Sequence, residues 1–257
     1  MPMAFTRAVS PRLADCALTH LKRQPIDVRR AAEQQAAYEL ALADAGLTIH
    51  RLSPLDDHPD GVFVEDTAIL LGDHAVITRP GIPSRFDEIF STAEGLAPYF
   101  TIHFLESGIL DGGDVLRIDQ TLYLGRSRRT DSQGMCALRA IVETLGFQVV
   151  PVELGRCLHL KTAVTFAGPD QHGRPTVLVN PEWVDPAIFA GTDAINVDED
   201  EPYAANIVRA ADRLVMAAGS PRTAEQVRER GFEVVELDLS ELQKAEAGGT
   251  CMSLIAD

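Results

Sequence analysis

Short apolar stretches alternate with polar turns along most of the chain, and they recur in one fixed order. A small or acidic residue opens an apolar strand, a polar turn follows, and a second apolar strand ends in a stop rich in Pro, Arg and Ser. A helix and a third strand complete the unit. The clearest copy is Glu65-Asp66-Thr67-Ala68-Ile69-Leu70, a Gly72-Asp73 turn, then Ala75-Val76-Ile77-Thr78-Arg79-Pro80. Further copies start at Asp111-Gly112-Gly113-Asp114-Val115-Leu116, at His159-Leu160-Lys161-Thr162-Ala163-Val164 and at Ala205-Asn206-Ile207-Val208. A fifth begins at Gly249-Thr250-Cys251-Met252-Ser253-Leu254-Ile255 and runs out of chain. Its missing second strand and stop are read at the other end, in Met3-Ala4-Phe5-Thr6-Arg7-Ala8-Val9-Ser10-Pro11.

Glu65, Asp111, His159, Asn206 and Cys251 thus follow one another at intervals of 45 to 48 residues. Self-similarity at a fixed period signals a repeat architecture. A unit split between the two ends predicts a ring closed by pairing of the N- and C-terminal strands, which leaves few open sheet edges. Apolar positions at helical spacing predict helices over residues 29–45, 132–145 (stopped by Gly146) and 223–230 (stopped by Gly231), with a strand over 232–237. The expected fold is therefore α/β, five pseudo-repeated ββαβ units in one domain spanning residues 1–257. In such a ring the residues that open the inner strands point to the axis at one end. Glu65, Asp66, Asp111, Asp114, His159, Asn206 and Cys251 are then expected to share one pocket.

Composition narrows the chemistry. The 257 residues are 46% apolar and 24% charged, ordinary globular usage. Asp plus Glu outnumber Lys plus Arg 38 to 23, and a net charge of −15 argues against a nucleic-acid partner while suiting a cationic ligand. No apolar run approaches the roughly 20 residues that span a bilayer. Residues 1–15 carry no signal-like apolar stretch, so a cytoplasmic address is expected and no membrane partner. Cys16, Cys136, Cys157 and Cys251 form no C-x-x-C pair, which gives a structural zinc site or a redox dithiol no support.

Cys251 follows Ala247-Gly248-Gly249-Thr250, whose small residues let a ligand approach the backbone closely. The other three cysteines are expected to be structural. His159 is the one histidine of seven in an axial slot; with a thiol and a carboxylate it fits nucleophilic catalysis, the imidazole moving protons and the acid orienting it. His precedes Cys, the reverse of the papain order. Asp60, Glu65, Asp66, Asp111 and Asp114 would converge on this pocket, and clustered carboxylates raise one another's pKa unless a cation neutralises them. Calcium or magnesium would leave the thiol without a task. A planar guanidinium suits paired carboxylates.

Five segments carry a family resemblance: Pro59-Asp60-Gly61-Val62-Phe63-Val64-Glu65-Asp66, Thr78-Arg79-Pro80-Gly81 through Ser84-Arg85, Leu110-Asp111-Gly112-Gly113-Asp114-Val115-Leu116, Leu158-His159-Leu160-Lys161-Thr162 and Thr250-Cys251-Met252-Ser253. In order and spacing the chain resembles the dimethylarginine dimethylaminohydrolase family of the guanidino-group-modifying, or pentein, superfamily, over essentially its whole length. The resemblance implies a five-bladed α/β propeller, hydrolysis of Nω-methylated arginine to citrulline and an amine, and no metal or cofactor. It implies Cys251 as nucleophile, His159 as general acid/base and Asp111 as the carboxylate that orients the histidine. It places Asp60, Glu65 and Asp66 around the guanidinium, Arg85 and Arg129 on the α-carboxylate, and the backbone carbonyls of Leu18 and Ala245 on the α-amine. Some members carry Glu where this chain has Asp111, and Gly61 and Ala245 replace larger residues.

Other readings stay open at this point: an arginine deiminase-type hydrolase, an amidinotransferase, a non-catalytic cationic amino-acid-binding protein, or a protein regulated by zinc at Cys251 and His159. The resemblance also leaves a homodimer open. One physical expectation accompanies the enzyme reading: a pocket full of acids raises the Cys251 thiol pKa, and a bound cation reverses that bias.

Overall fold

The computed structural model describes residues 2–256. Strand β1 (Met3–Thr6) runs parallel to β2 (Thr48–Arg51), and helix α1 (Val28–Asp44) makes the crossover between them. Asp27 caps that helix, its side chain accepting from the Arg30 N–H. The second unit is β3 (Ala68–Leu71), β4 (His74–Ile77), α2 (Glu88–Leu96) and β5 (Thr101–Phe104). The third is β6 (Val115–Ile118), β7 (Thr121–Arg126), α3 (Ser132–Val142) and β8 (Gln148–Glu153). After the single helical turn α4 (Leu160–Ala163) come β9 (Val164–Pro169), β10 (Pro175–Val179) and β11 (Asp193–Asn196). The fifth unit holds β12 (Ile207–Ala210), β13 (Arg213–Ala217), α5 (Pro221–Glu229) and β14 (Glu233–Leu237), and a short turn α6 (Ser240–Gln243) follows. The last strand, β15 (Leu254–Ala256), pairs antiparallel with β1, Met3 opposite Ala256 and Phe5 opposite Leu254.

The result is five three-stranded sheets of one pattern: first strand antiparallel to the second, second parallel to the third. An antiparallel pair closes through a tight turn, whereas a parallel pair needs a crossover, which is why each helix falls between the second and third strands. Three of the tight turns place a residue at positive φ at the same point of the repeat: Gly72, Asp119 and Ala211. That backbone twist matches the twist of the flanking strands. Residues of β3, β6, β9, β12 and β15 all line one axial channel of about 360 Å³, so the first strands form the inner wall of a ring. The expected five-unit propeller and its closure through both ends of the chain are both present.

Two expectations need correction. Glu65-Asp66, Asp111 to Asp114 and His159 to Ala163 were expected as the openings of inner strands. Instead they form short helical turns, Val64–Thr67, Gly112–Asp114 and Leu160–Ala163, and each strand starts at the next residue. A strand would send neighbouring side chains to opposite faces of one sheet; the turn fans them so that each buried acid meets its own partner. In the fourth unit, residues 181–192 carry no α-helix, only the turn Pro186–Ile188. Pro181 and Pro186 punctuate that stretch, and proline inside a helix removes an N–H and clashes with the preceding turn. Helix α2, by contrast, lies in a stretch whose pattern was not read as helical.

Candidate active site

The turn Val64–Thr67 separates its two acids. Glu65 faces the axial channel, where its carboxylate pairs with Lys161 Nζ at 2.6 Å and accepts from Thr250 Oγ1 at 2.7 Å. Asp66 faces the other way. Its Oδ2 accepts from Arg85 Nη1 at 2.5 Å, and its Oδ1 from the Gly113 N–H at 3.2 Å. A Cβ on Gly113 would lie 2.7 Å from His159 Nδ1, so the Gly112-Gly113 turn is what lets the histidine approach.

His159 is buried, and its Nε2 lies 3.0 Å from Asp111 Oδ2. Asp111 is itself held: its Oδ1 accepts from the Gly81 N–H at 2.7 Å, and Arg129 Nη1 approaches its Oδ2 at 3.4 Å. Cys251 is partly buried, in the turn Thr250–Met252, and the Gly248 N–H points at its sulfur from 3.4 Å. Asn206 braces this turn by accepting from the Thr250 N–H and donating from Nδ2 to Thr250 Oγ1, both at 3.0 Å. Of the seven residues expected to share one pocket, Asp66, His159 and Cys251 line one cavity, Asp111 stands behind His159, Asn206 braces the Cys251 turn from outside it, and Glu65 and Asp114 lie away from it.

A cavity of about 30 Å³ is lined by Asp60, Asp66, Arg85, Arg129, His159, Ala245 and Cys251, among others. That volume holds about one or two waters, far less than an amino acid, because a flap covers it. Glu246 accepts from three consecutive flap N–H groups, those of Thr19, His20 and Leu21, at 2.5 to 3.0 Å. Arg129 Nη2 donates to Thr19 Oγ1 at 2.7 Å, and the Ala17 N–H donates to both Asp60 oxygens at 3.2 Å. Of the ten residues expected at the site, seven line the cavity. Asp111 stands behind His159, Glu65 faces the channel, and Leu18 packs on the core with Ala17 taking the lining position. Arg85 is fully engaged as it stands: Glu88 accepts from its Nε at 3.1 Å and its Nη2 at 2.9 Å, and the Phe63 carbonyl accepts from Nη2 at 2.7 Å.

The electrostatics follow from burial among acids. Burial, reinforced by Glu65 and Asp66, pushes the Cys251 thiol up to about 12, in the direction expected. Burial alone would push the His159 imidazole down, but Asp66 and the hydrogen bond to Asp111 outweigh it and raise the group to about 9. Burial would likewise raise the Asp66 carboxyl; His159 and Arg85 beside it hold it below its ordinary range instead. At neutral pH the site therefore holds a neutral thiol, an imidazolium and an ionised Asp66. Asp66, Asp111 and His159 also place one ligand atom each within 4.8 Å of one another, but the Arg85 and Arg129 guanidiniums on those carboxylates already occupy the place of a cation.

No protein-family profile matches the chain. A dimethylarginine dimethylaminohydrolase of Streptomyces coelicolor is 40% identical over 254 residues, 98% of this chain and 95% of that protein. The one from Pseudomonas aeruginosa is 36% identical over 231 residues, 89% of each. The chain belongs to the dimethylarginine dimethylaminohydrolase family. Among solved structures, the Pseudomonas aeruginosa enzyme, as a cysteine-to-serine mutant complexed with citrulline, superposes with a TM-score of 0.92 at 33% identity, covering 99% of this chain and 98% of that one. An adduct of a histidine-to-glycine dimethylarginine dimethylaminohydrolase with S-methyl-L-thiocitrulline gives 0.90.

Against that family background, three residues of this site went unread in the sequence. Glu246 clasps the flap, Lys161 neutralises Glu65, and Glu88 holds Arg85. Lys161 lies two residues from His159, and an acid buried in an axial slot demands a cation, so that pairing had a usable signal. Glu246 had none, because its partners are backbone N–H groups more than two hundred residues away.

Proposed function

We propose that this chain, acting as one catalytic unit, hydrolyses Nω-methylated arginine to citrulline and methylamine or dimethylamine through a covalent adduct on Cys251. One observation carries the reading: a thiol, an imidazolium and an ionised carboxylate line a single cavity, an arrangement suited to a flat cation lying between Asp66 and the sulfur. A guanidinium is such a cation, flat enough to lie against Asp66 while presenting its carbon to the sulfur. Its charge offsets the two acids that hold the thiol proton, so the substrate itself promotes thiolate formation.

In the first half-reaction Cys251 gives its proton to solvent as the guanidinium docks, and the thiolate sulfur bonds to the guanidinium carbon. The bond from that carbon to the methylated nitrogen then breaks, with His159 giving its proton to the departing amine. An S-alkylthiouronium remains on Cys251. In the second, neutral His159 takes a proton from water, the oxygen bonds to the same carbon, the C–S bond breaks as the second proton of the water returns the sulfur to the thiol, and citrulline leaves. One group serves as acid and then as base. Asp111 fixes the imidazole by its 3.0 Å hydrogen bond. Arg129, one of the cavity's cations, grips the α-carboxylate in our reading, and a carboxylate arriving there takes the place of Thr19 Oγ1, which couples binding to movement of the flap. Ala245 offers its carbonyl to the α-amine, as does Leu18. We assign Asp60 to the polar groups next to the guanidinium, Arg85 to holding Asp66 rather than to the carboxylate, and Glu65 to the charge balance beneath Cys251. The free thiols at Cys16, Cys136, Cys157 and Cys251 fit a reducing, cytoplasmic setting.

The test is release of citrulline and amine from dimethylarginine, monomethylarginine, arginine and agmatine. Methylated arginines are expected to turn over, and Cys251→Ser is expected to bind dimethylarginine without turning it over. Preferred turnover of unmethylated arginine would move the chain to the deiminase reading. Full activity in Cys251→Ser would defeat the covalent mechanism.

A further inference from the structure

Among the buried acids in the turns that build the site, Asp114 has no task in the reaction. Asp114 is fully buried, outside the cavity, in the same turn as Gly113. Its Oδ1 accepts from the Leu160 N–H at 2.9 Å, the residue directly after His159. Its Oδ2 accepts from Ser127 Oγ at 2.5 Å and from Thr130 Oγ1 at 2.6 Å. Both hydroxyls are accepting in turn: Ser127 Oγ from the Arg129 N–H at 2.9 Å, and Thr130 Oγ1 from the Asp111 N–H at 3.3 Å. One carboxylate therefore ties together the turn that carries His159, the loop that carries Arg129 and the backbone at Asp111. Gly125 keeps the space open, since a Cβ there would lie 2.9 Å from Asp114 Oδ1.

We infer that Asp114 is a positioning residue that couples the grip of Arg129 on the substrate carboxylate to the placement of His159 and Asp111 at the reacting carbon. The inference rests on the hydrolase reading above. A simple core acid would not fit these contacts. A polar group buried only for packing needs enough partners to satisfy it; here every partner leads within two residues to a residue of the site. The carboxylate form is also required, because each hydroxyl spends its single proton on Asp114 while accepting from a backbone N–H. Burial raises the Asp114 carboxyl to about 6, with His159 and the hydrogen bonds from Ser127, Thr130 and Leu160 opposing the rise. The other titratable groups around it are Cys157, whose thiol it pushes up, and Asp111, which shares His159. Below about pH 6 Asp114 gains a proton and can no longer accept from both hydroxyls as it does when ionised.

The test uses S127A, T130V and D114N in the full chain, with kcat and KM measured on dimethylarginine and on its decarboxylated analogue, a methylated agmatine. S127A cuts one link to Arg129 and is expected to raise KM for dimethylarginine about threefold to tenfold, the worth of one hydrogen bond, while leaving KM for the analogue within twofold. T130V is expected to lower kcat on both substrates. D114N combines the two effects, and S127A added to D114N should raise KM little further, since both act through one chain of contacts. D114N should also keep or raise the melting temperature at pH 8. A carboxyl whose folded pKa lies above its unfolded value costs stability once ionised, so the amide relieves a penalty present above about pH 6. An S127A rise in KM that is equal on the two substrates, or KM effects of S127A and D114N that multiply, would overturn the positioning role. Wild-type enzyme inactive on dimethylarginine would instead defeat the reading beneath it, and an unchanged KM in Arg129→Ala would defeat the carboxylate grip alone.

Discussion

Cys251 rests as a neutral thiol beside the His159 imidazolium, where a thiolate–imidazolium pair would hold a thiolate, and burial with neighbouring charge is the reason. A free thiol titrates near 8.5 and a free imidazole near 6.5; here burial and acids carry them to about 12 and about 9. The imidazole shift makes a prediction with a definite sign. Because protonated His159 must deliver a proton to the departing amine, kcat/KM should fall as pH rises through about 9. Asp111→Asn removes one of the groups that raise the imidazole, so its falling limb should move to lower pH by about one unit, with Asp66 and Asp114 keeping part of the shift. Stability follows the same linkage. A His whose folded pKa is raised stabilises fully below about pH 6.5 and loses that contribution as pH climbs through 9, and Asp111→Asn should flatten that loss in denaturation series run at several pH values. An alkaline limb that stays in place in Asp111→Asn would remove His159 from the role of acid. At this scale the repeat made His159, Asp111 and Cys251 legible, since each opens a unit at the same point. It left Glu246 and Glu88 unread, because their partners are fixed by folding and not by spacing.

The elements that matter most to the site are its loops, and their anchoring is local. Helix α3 begins after Asp131, whose side chain accepts from the Gly134 N–H at 2.7 Å and the Ile109 N–H at 3.2 Å. That cap pins the C-terminal end of the loop holding Ser127, Arg129 and Thr130. Asp131→Ala is expected to cost about 1 kcal/mol in urea denaturation, the usual worth of an N-cap, and to raise KM for dimethylarginine more than it lowers kcat. Loss of stability with an unchanged KM would mean that the cap serves the helix alone. Helices α1, α3 and α5 were legible from their apolar spacing and the glycines that stop them, Gly146 and Gly231 at φ +86° and +89°. The turns that present Glu65, Asp114 and His159 were not, because apolar alternation marks the sheet and says nothing about the three residues before it. What bends those residues into a turn is tertiary: Lys161 for Glu65, Arg85 for Asp66, and the Leu160 N–H for Asp114.

On the scale of the whole molecule, the ring closes through one blade made from both ends of the chain, with Met3 facing Ala256 across an antiparallel pair. The active-site turn Thr250–Met252 leads directly into that closing strand. Phe5, fully buried, stacks on His50 and meets Phe100 edge-on, so the seam is packed as well as hydrogen-bonded. If closure of the ring is what fixes Cys251, the chain should tolerate being opened elsewhere, because the order of units around a ring has no physical beginning. The turn between β9 and β10 suits such an opening: Gly173 adopts φ +76° with nothing near the position of a Cβ, and none of the groups placed in the reaction lies there. Joining residue 257 to residue 1 by a short glycine-rich link and opening the chain at Gly173 should give a circular permutant with kcat within about threefold of the parent, as surface turns commonly allow. Removing residues 2–6 instead should abolish citrulline release, because β15 then loses its partner and becomes an open edge beside Cys251. A permutant that unfolds, or a truncated chain that stays active, would show that the seam is incidental and that the site is held by its local turns alone.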